Sequence, residues 1–301
     1  MHPLAHDWIH SCIHGADLHK YEAAAVVLLA LAARVHPPFW AQYLSSHITH
    51  LSHLLDHLHI NDLGAWGGLL AHCGVFEDAL RLQSKVVTDL KRRVSPDDSS
   101  LPDSLWALAT TYCDAGHLPE AEVPLVEVVR RIEEIRGVRH TKSIGASVAL
   151  ARVYSEWNRL EDARVIREEI LKLRKEVLGP NDLHTMLASY DLANIYDRLG
   201  RHKEANVLWE ESLKVIKRQL GDRHVYTLKA SRGLATTYST LGQTYEAKEL
   251  LEQSLKLFKE VMGSSHPDTI EGYISLAECY QGLYMYAEAK DLLEEALKLR
   301  G

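Results

Sequence analysis

The chain has 301 residues, a formal net charge of −7 and four cysteines. So modest and negative a charge argues against a general nucleic-acid binder, whose footprint is a strongly basic face. Cys12, Cys73, Cys113 and Cys279 include no Cys-x-x-Cys pair, so they read as thiols of a reducing compartment, and a cytoplasmic location is expected.

In residues 1–14, Leu4, Trp8 and Cys12 share one helical stripe, and His2, His6, His10 and His14 share another at i, i+4 spacing. Such histidines can hold a metal, but no carboxylate or cysteine completes a set, so a polar helix face is expected. Gly15-Ala16-Asp17 breaks the pattern, and residues 20–35 form an apolar helix ended by His36-Pro37-Pro38. The apolar run from Ala23 to Val35 is short of the roughly 20 residues that span a bilayer, and it comes after a His-rich rather than a basic start. Neither a membrane segment nor a cleavable signal is expected. A further helix over 39–59 has Leu44, Ile48, Leu51, Leu55 and Leu58 at helical spacing. Its His47, His50, His53 and His57 read as exposed or partly buried imidazoles. Residues 1–60 are thus one N-terminal helical segment, whose later part covers the apolar end of residues 61–301.

From 61 to 301 the sequence repeats with a step of 42 residues. Trp66-Gly67-Gly68-Leu69-Leu70 with Ala79 opens the series, and Leu108-Ala109-Thr110-Thr111-Tyr112 with Ala121 is second. Next come Leu150-Ala151-Arg152-Val153-Tyr154 with Ala163 and Leu192-Ala193-Asn194-Ile195-Tyr196 with Ala205. Leu234-Ala235-Thr236-Thr237-Tyr238 with Ala247 and Leu276-Ala277-Glu278-Cys279-Tyr280 with Ala289 complete six units. A large apolar residue comes after the later Ala at Leu125, Trp209, Leu251 and Leu293 but not at Gln83 or Arg167. Leu, a small residue and an aromatic three further on form one helix face, and the small residue admits a second helix at close range. Each unit is therefore a helix pair that buries its apolar faces only against its neighbours, which predicts an all-α solenoid. First helices are expected to start near Asp103, Ser143, Thr185, Thr227 and Thr269, residues able to cap them, and second helices just after His117, Arg159, Arg201, Gln243 and Met285. No polar capping helix comes after Leu292, Leu293, Ala296, Leu297 and Leu299. The expectation is a fragment of a longer chain, or an end that self-associates through the C-terminal helix.

On each first helix the stripe opposite the Leu-Ala-Tyr face lies two and five positions to either side of the Leu. It offers an apolar and aromatic part (Trp106, Val148, Tyr190), a basic part (Arg152, Lys229, Arg232), Asn194 and, in the last unit, Glu278. Trp, Tyr and Arg are the usual interface anchors. This stripe is expected to bind a protein or peptide with acidic and apolar residues.

The Leu-small-x-x-Tyr…Ala pattern resembles the tetratricopeptide repeat, which implies a right-handed superhelix of antiparallel helix pairs with the stripe on its concave side. The long unit, with Gly and His before the first helix (Leu220-Gly221-Asp222-Arg223-His224, Met262-Gly263-Ser264-Ser265-His266), is similar to repeats of kinesin light chains and of NLR-like (STAND) signal-transduction ATPases. Met1-His2-Pro3-Leu4 resembles the end of the winged-helix domain of those ATPases, whose His touches bound ADP; that role would fall on His2, with Pro3 in place of the family's Asp. These resemblances imply the ligand-sensing and self-association part of an NLR-like signalling protein acting in innate immunity, or alternatively a cargo adaptor. The carboxylate clamp of some tetratricopeptide proteins needs a Lys/Asn series that only Asn194 fits. No Gly-x-x-x-x-Gly-Lys-Ser/Thr, His-Glu-x-x-His or Gly-x-Ser-x-Gly occurs, so no catalysis, cofactor or metal is expected.

Overall fold

The computed structural model describes residues 60–93 and 100–300. The histidine stripes of the N-terminal segment, Cys12 and the Met1–Leu4 motif lie outside the described residues. Among the described residues there are twelve α-helices and no strand. They are α1 Ile60–His72, α2 Phe76–Arg93, α3 Ser100–Asp114, α4 Leu118–Arg136, α5 Thr141–Glu156 and α6 Leu160–Val177. Next in the chain are α7 Leu183–Arg198, α8 His202–Leu220, α9 Val225–Thr240, α10 Thr244–Met262, α11 Pro267–Gly282 and α12 Tyr286–Arg300. The chain forms two compact units, one ending at Val153 and one beginning at Tyr154.

Charge and apolar spacing account for the helices. In α6, Glu161 and Asp162 occupy the first turn and Arg174 and Lys175 the last, each complementing the helix dipole. Its opposite face buries Ala163, Ile170 and Leu171. In the first unit α1 packs on α2, α2 on α3 and α3 on α4, around Trp66, Leu69, Leu70, Leu105 and Val128. In the second, α7 packs between α6 and α8, α9 between α8 and α10, and α11 between α10 and α12. The paired alanines of the period, including Ala193 with Ala205 and Ala235 with Ala247, are fully buried.

The turn within each pair uses a backbone position of positive φ. Gly200 takes it at φ 73, and the Arg201 N–H then donates to the Tyr196 carbonyl at 2.8 Å. At the same place in the last pair stands Tyr284, at φ 61.

The second helices begin where the sequence places them, and the first helices begin two or three residues before the expected positions, with other residues as caps. Their caps lie three residues earlier, at Asp182, His224 and His266, whose side chains accept from the N–H two residues on. The expected caps Thr227 and Thr269 are buried and donate to the carbonyls of Gly221 and Gly263 at 2.7 and 2.8 Å. Ser143 does the same to Gly137 at 2.8 Å, whereas the Thr185 hydroxyl has no hydrogen-bond partner. The three hydroxyls of Ser143, Thr227 and Thr269 tie α5, α9 and α11 to the glycine that ends the helix before each. Asp103, also expected near a cap, lies inside the first turn of α3.

The two positions where the large apolar residue fails are buried all the same. Gln83 fills its place with Oε1 unsatisfied, and Arg167 reaches across the α6–α7 seam to Asp191 at 2.5 Å. Burial pushes the Asp191 carboxyl up, against the pull of Arg167 and Arg174. At the next seam the equivalent residue, Trp209, lies under α9 with its Nε1 donating to Asp197 at 2.6 Å. Asp197 also accepts from Thr237 Oγ1 at 2.9 and 3.0 Å, joining α7, α8 and α9.

The repeated tyrosine departs from a pure core role. Tyr196, Tyr238 and Tyr280 are half-buried, and each hydroxyl donates to a glutamate 28 residues earlier on the preceding second helix. The acceptors are Glu168 at 2.6 Å, Glu210 at 3.0 Å and Glu252 at 2.7 Å. Burial and the glutamate push the Tyr196 and Tyr280 phenols up to about 12. Burial alone raises Glu168, but hydrogen bonds from Tyr196 and Arg164 outweigh it and hold the carboxyl below its ordinary range. The ladder thus joins consecutive units with a short, charge-assisted bond at the edge of each apolar seam.

Candidate functional site

The stripe residues stand on first helices, whose other face is fixed by the buried Leu and Ala. In the first unit, Trp106 is half-buried on α3, packed against the core that contains Leu105 and Val128. Its carbonyl accepts from Thr110 Oγ1 at 2.9 Å. On α5, Val148 is half-buried and Arg152 exposed. Trp106 is therefore less open than the sequence pattern implies, because its ring also closes the apolar layer beneath it.

In the second unit the stripe runs over α7, α9 and α11. Tyr190 is half-buried and meets the Trp209 ring edge-on at 5.0 Å. Its other side meets Tyr226 edge-on at 6.0 Å, and Tyr226 stacks on His224 at 5.7 Å. Burial pushes the Tyr190 phenol up to about 12. Tyr190 thus joins the core to the surface, and the open ring is Tyr226, 43% exposed. Sequence reasoning passed over Tyr226 because it lies one step off the stripe; its signal was an aromatic in the Gly-Asp-Arg-His-Val-Tyr run that leads into α9.

The basic residues are not isolated charges. Lys229 Nζ lies 2.9 Å from Asp268, and Arg232 Nη1 lies 3.3 Å from Glu271. Both acids come from α11, so α9 and α11 form a two-rung ion-pair ladder along the stripe. Arg232 is half-buried, and its Nε is buried with no hydrogen-bond partner. Asn194 and Glu278 are exposed. Asp197, on the same stripe by spacing, serves the α7–α8–α9 junction instead.

The arrangement has the chemistry of a recognition surface. An aromatic pair lies beside two cations and two anions on consecutive helices, with no nucleophile–base pair in it. Among the described residues no group of histidines, cysteines and carboxylates is arranged to hold a metal, and no helix is long and apolar enough to cross a membrane. The Cys279 thiol donates to the Thr244 carbonyl at 3.4 Å, and burial pushes it up, away from reactivity.

Residues 204–260 and 240–300 match one model of the tetratricopeptide repeat, and residues 104–141 and 148–184 match another. No curated protein matches. Among solved structures, the chain is similar to the nearly identical TPR-like repeats of a Podosopora anserina protein named for a kinesin light chain. The identity is 26%, the TM-score 0.57, and the match covers 68% of this chain and 96% of that one. BtubC (BKLC) from P. vanneervenii is 21% identical with TM-score 0.61, over 75% of this chain and 91% of that one. A tetratricopeptide repeat protein from Parabacteroides merdae is 18% identical with TM-score 0.60, over 80% of each chain.

Proposed function

This chain belongs to the tetratricopeptide-repeat family, whose arrays are protein-interaction scaffolds, and on that footing we propose that its first-helix stripe binds a segment of another protein. The ligand is an extended or helical segment with acidic residues and an apolar anchor. One observation carries this reading: in the second unit Tyr226 and Tyr190 present an aromatic edge beside Lys229 and Arg232. Aromatic and arginine side chains in partly desolvated positions are the usual hot spots of protein interfaces. An incoming carboxylate exchanges with Glu271, whose side chain is 59% exposed, more readily than with Asp268 at 18%. Charge sets the on-rate and the aromatic anchor the off-rate. In the first unit, Trp106, Val148 and Arg152 supply a similar mixture.

Two settings fit such a scaffold, with residues 1–60 as a separate N-terminal helical segment and 61–301 as six repeats. A cargo adaptor similar to a kinesin light chain is favoured by the 26% identity to the P. anserina repeats. The ligand-sensing part of an NLR-like (STAND) protein of innate immunity rests on the resemblance of Met1–Leu4 and of the repeats alone. Both settings are cytoplasmic. Self-association through α12, the expectation from the sequence, is carried by its exposed Leu293 and Leu297.

Random peptides displayed on phage and selected on the full chain test the binding reading. The expected winners carry acidic residues around an aromatic or aliphatic anchor, lose affinity as salt rises, and bind the Lys229→Ala/Arg232→Ala variant at least tenfold more weakly, about 1.4 kcal/mol. Winners without acidic residues, or indifferent to that variant, contradict it.

A further inference from the structure

The loop from α8 to α9 is closed by ion pairs that the loop from α6 to α7 lacks. At the former, Lys217 Nζ lies 2.6 Å from Asp222, and Arg223 Nη2 lies 3.1 Å from Glu260 of α10. Forty-two residues earlier the same four places hold Lys175, Pro180, Asn181 and Arg218. Pro180 offers Lys175 no carboxylate. Arg218 replaces an acid by a cation and faces a neutral amide. Lys175 and Arg218 make no ion pair among the described residues, and neither does Lys214, one turn before Arg218 on α8.

These three cations line one cavity of about 400 Å³ between the second helices α6 and α8. Glu211 is the one acid in its lining, so three cations against one carboxylate leave a net charge of +2. Pro180, Met186 and Val215 supply an apolar wall beside them. Lys175 also borders an adjoining cavity of about 400 Å³, into which Leu171 and Leu192 face. The site is held in shape from both sides. Gln219 Nε2 of α8 donates to the Asn181 carbonyl at 2.9 Å, and Arg174 Nη1 of α6 donates to the His184 carbonyl at 2.6 Å. Asp182 turns its carboxylate to the His184 N–H at 2.8 Å, capping α7. None of the lining residues belongs to the first-helix stripe.

We propose that this groove between α6 and α8 is a second docking site, which takes a segment of a partner protein carrying a phosphotyrosine. The phosphate, at a charge of about −1.5 to −2, matches the net charge of the cavity and accepts from Lys175, Lys214 and Arg218. The phenyl ring covers Pro180, Met186 and Val215. A glutamate brings half the charge and no ring, and a phosphoserine brings the charge but leaves the apolar wall uncovered. An apolar side chain of the same segment fills the adjoining cavity over Leu171 and Leu192. The ion pairs at Lys217 and Arg223 make the next seam unable to do the same, which confines the site to the α6–α8 groove.

The test selects, on the full chain, a peptide library with a fixed central phosphotyrosine and randomised flanks, and titrates the winners by fluorescence anisotropy. Winners with an apolar residue near the phosphotyrosine are expected to bind saturably and to weaken as salt rises. Their tyrosine, glutamate and phosphoserine counterparts bind at least about tenfold more weakly, and so does Lys175→Ala/Arg218→Ala with the phosphopeptide. Pro180→Asp/Asn181→Arg/Arg218→Glu installs the pairs of the next seam and abolishes binding. All these positions are exposed, so the variants keep the melting temperature of the parent. Lys229→Ala/Arg232→Ala leaves binding unchanged, which separates this site from the first-helix stripe. No saturation at concentrations on the order of a millimolar overturns the proposal. So does equal binding of the glutamate or phosphoserine counterpart, which would make the groove a reader of negative charge alone. Winners indifferent to Lys175→Ala/Arg218→Ala, or lost with Lys229→Ala/Arg232→Ala, overturn it in favour of the stripe.

Discussion

Gly233 lies so close beneath Trp209 that a Cβ there would come within 2.6 Å of the indole ring. Gly233→Ala is expected to destabilise the chain by about 1–3 kcal/mol through overpacking. Trp209→Leu, the residue found at that place in the following repeat (Leu251), should give back part of the loss. Thermal melting of the two single variants and the double checks this; an unaffected Gly233→Ala variant contradicts it. The sequence alone marked Trp209 as a core position but offered no reason for Gly233, since the compensation runs across a seam between units. Trp106, Tyr190 and Arg232 were likewise legible as stripe positions. Their burial was not, because helical spacing gives a direction and leaves open how deeply a long side chain lies against the neighbouring helix.

Among elements, the α6–α7 seam is filled by an ion pair where α8–α9 uses an indole over a glycine. Arg167→Leu restores the repeat's usual residue yet removes the hydrogen-bonded cation of the half-buried Asp191 and leaves only the pull of Arg174, so a loss of about 1–3 kcal/mol is expected. Adding Asp191→Ala removes the stranded carboxylate and should bring stability back to the starting level or above it. Denaturant unfolding of the single and double variants decides; a double variant as unstable as the single would mean that the pair itself stabilises the seam. The tyrosine ladder adds a dependence on pH. With the Tyr196 and Tyr280 phenols at about 12 in the fold against an ordinary 10, their contribution is fully present below about pH 10 and is lost as pH rises through about 12. Tyr196→Phe/Tyr280→Phe should be less stable at neutral pH and lose less stability between about pH 10 and 12. Equal alkaline slopes for the variant and the parent contradict the ladder. The sequence showed these tyrosines at their 42-residue step; their partners stayed hidden because the glutamates lie outside the apolar pattern that reveals the repeat.

On the scale of the whole chain, the all-helical repeat array was legible from periodicity, since a 42-residue step in six registers admits few other readings. What the period leaves open is how the proposed recognition surface divides. The first helices α7, α9 and α11 carry the aromatic edge and the ion-pair ladder, while the second helices α8 and α10 expose mainly charged, solvated side chains. Hydrogen exchange of the full chain, with and without a saturating peptide selected on it, tests this division most directly. Slowed exchange is predicted on α7, α9 and α11 around Tyr190, Tyr226 and Arg232, with α8 and α10 unchanged. Slowed exchange centred on α8 and α10, with the first helices untouched, would contradict the placement of the recognition surface on the first helices.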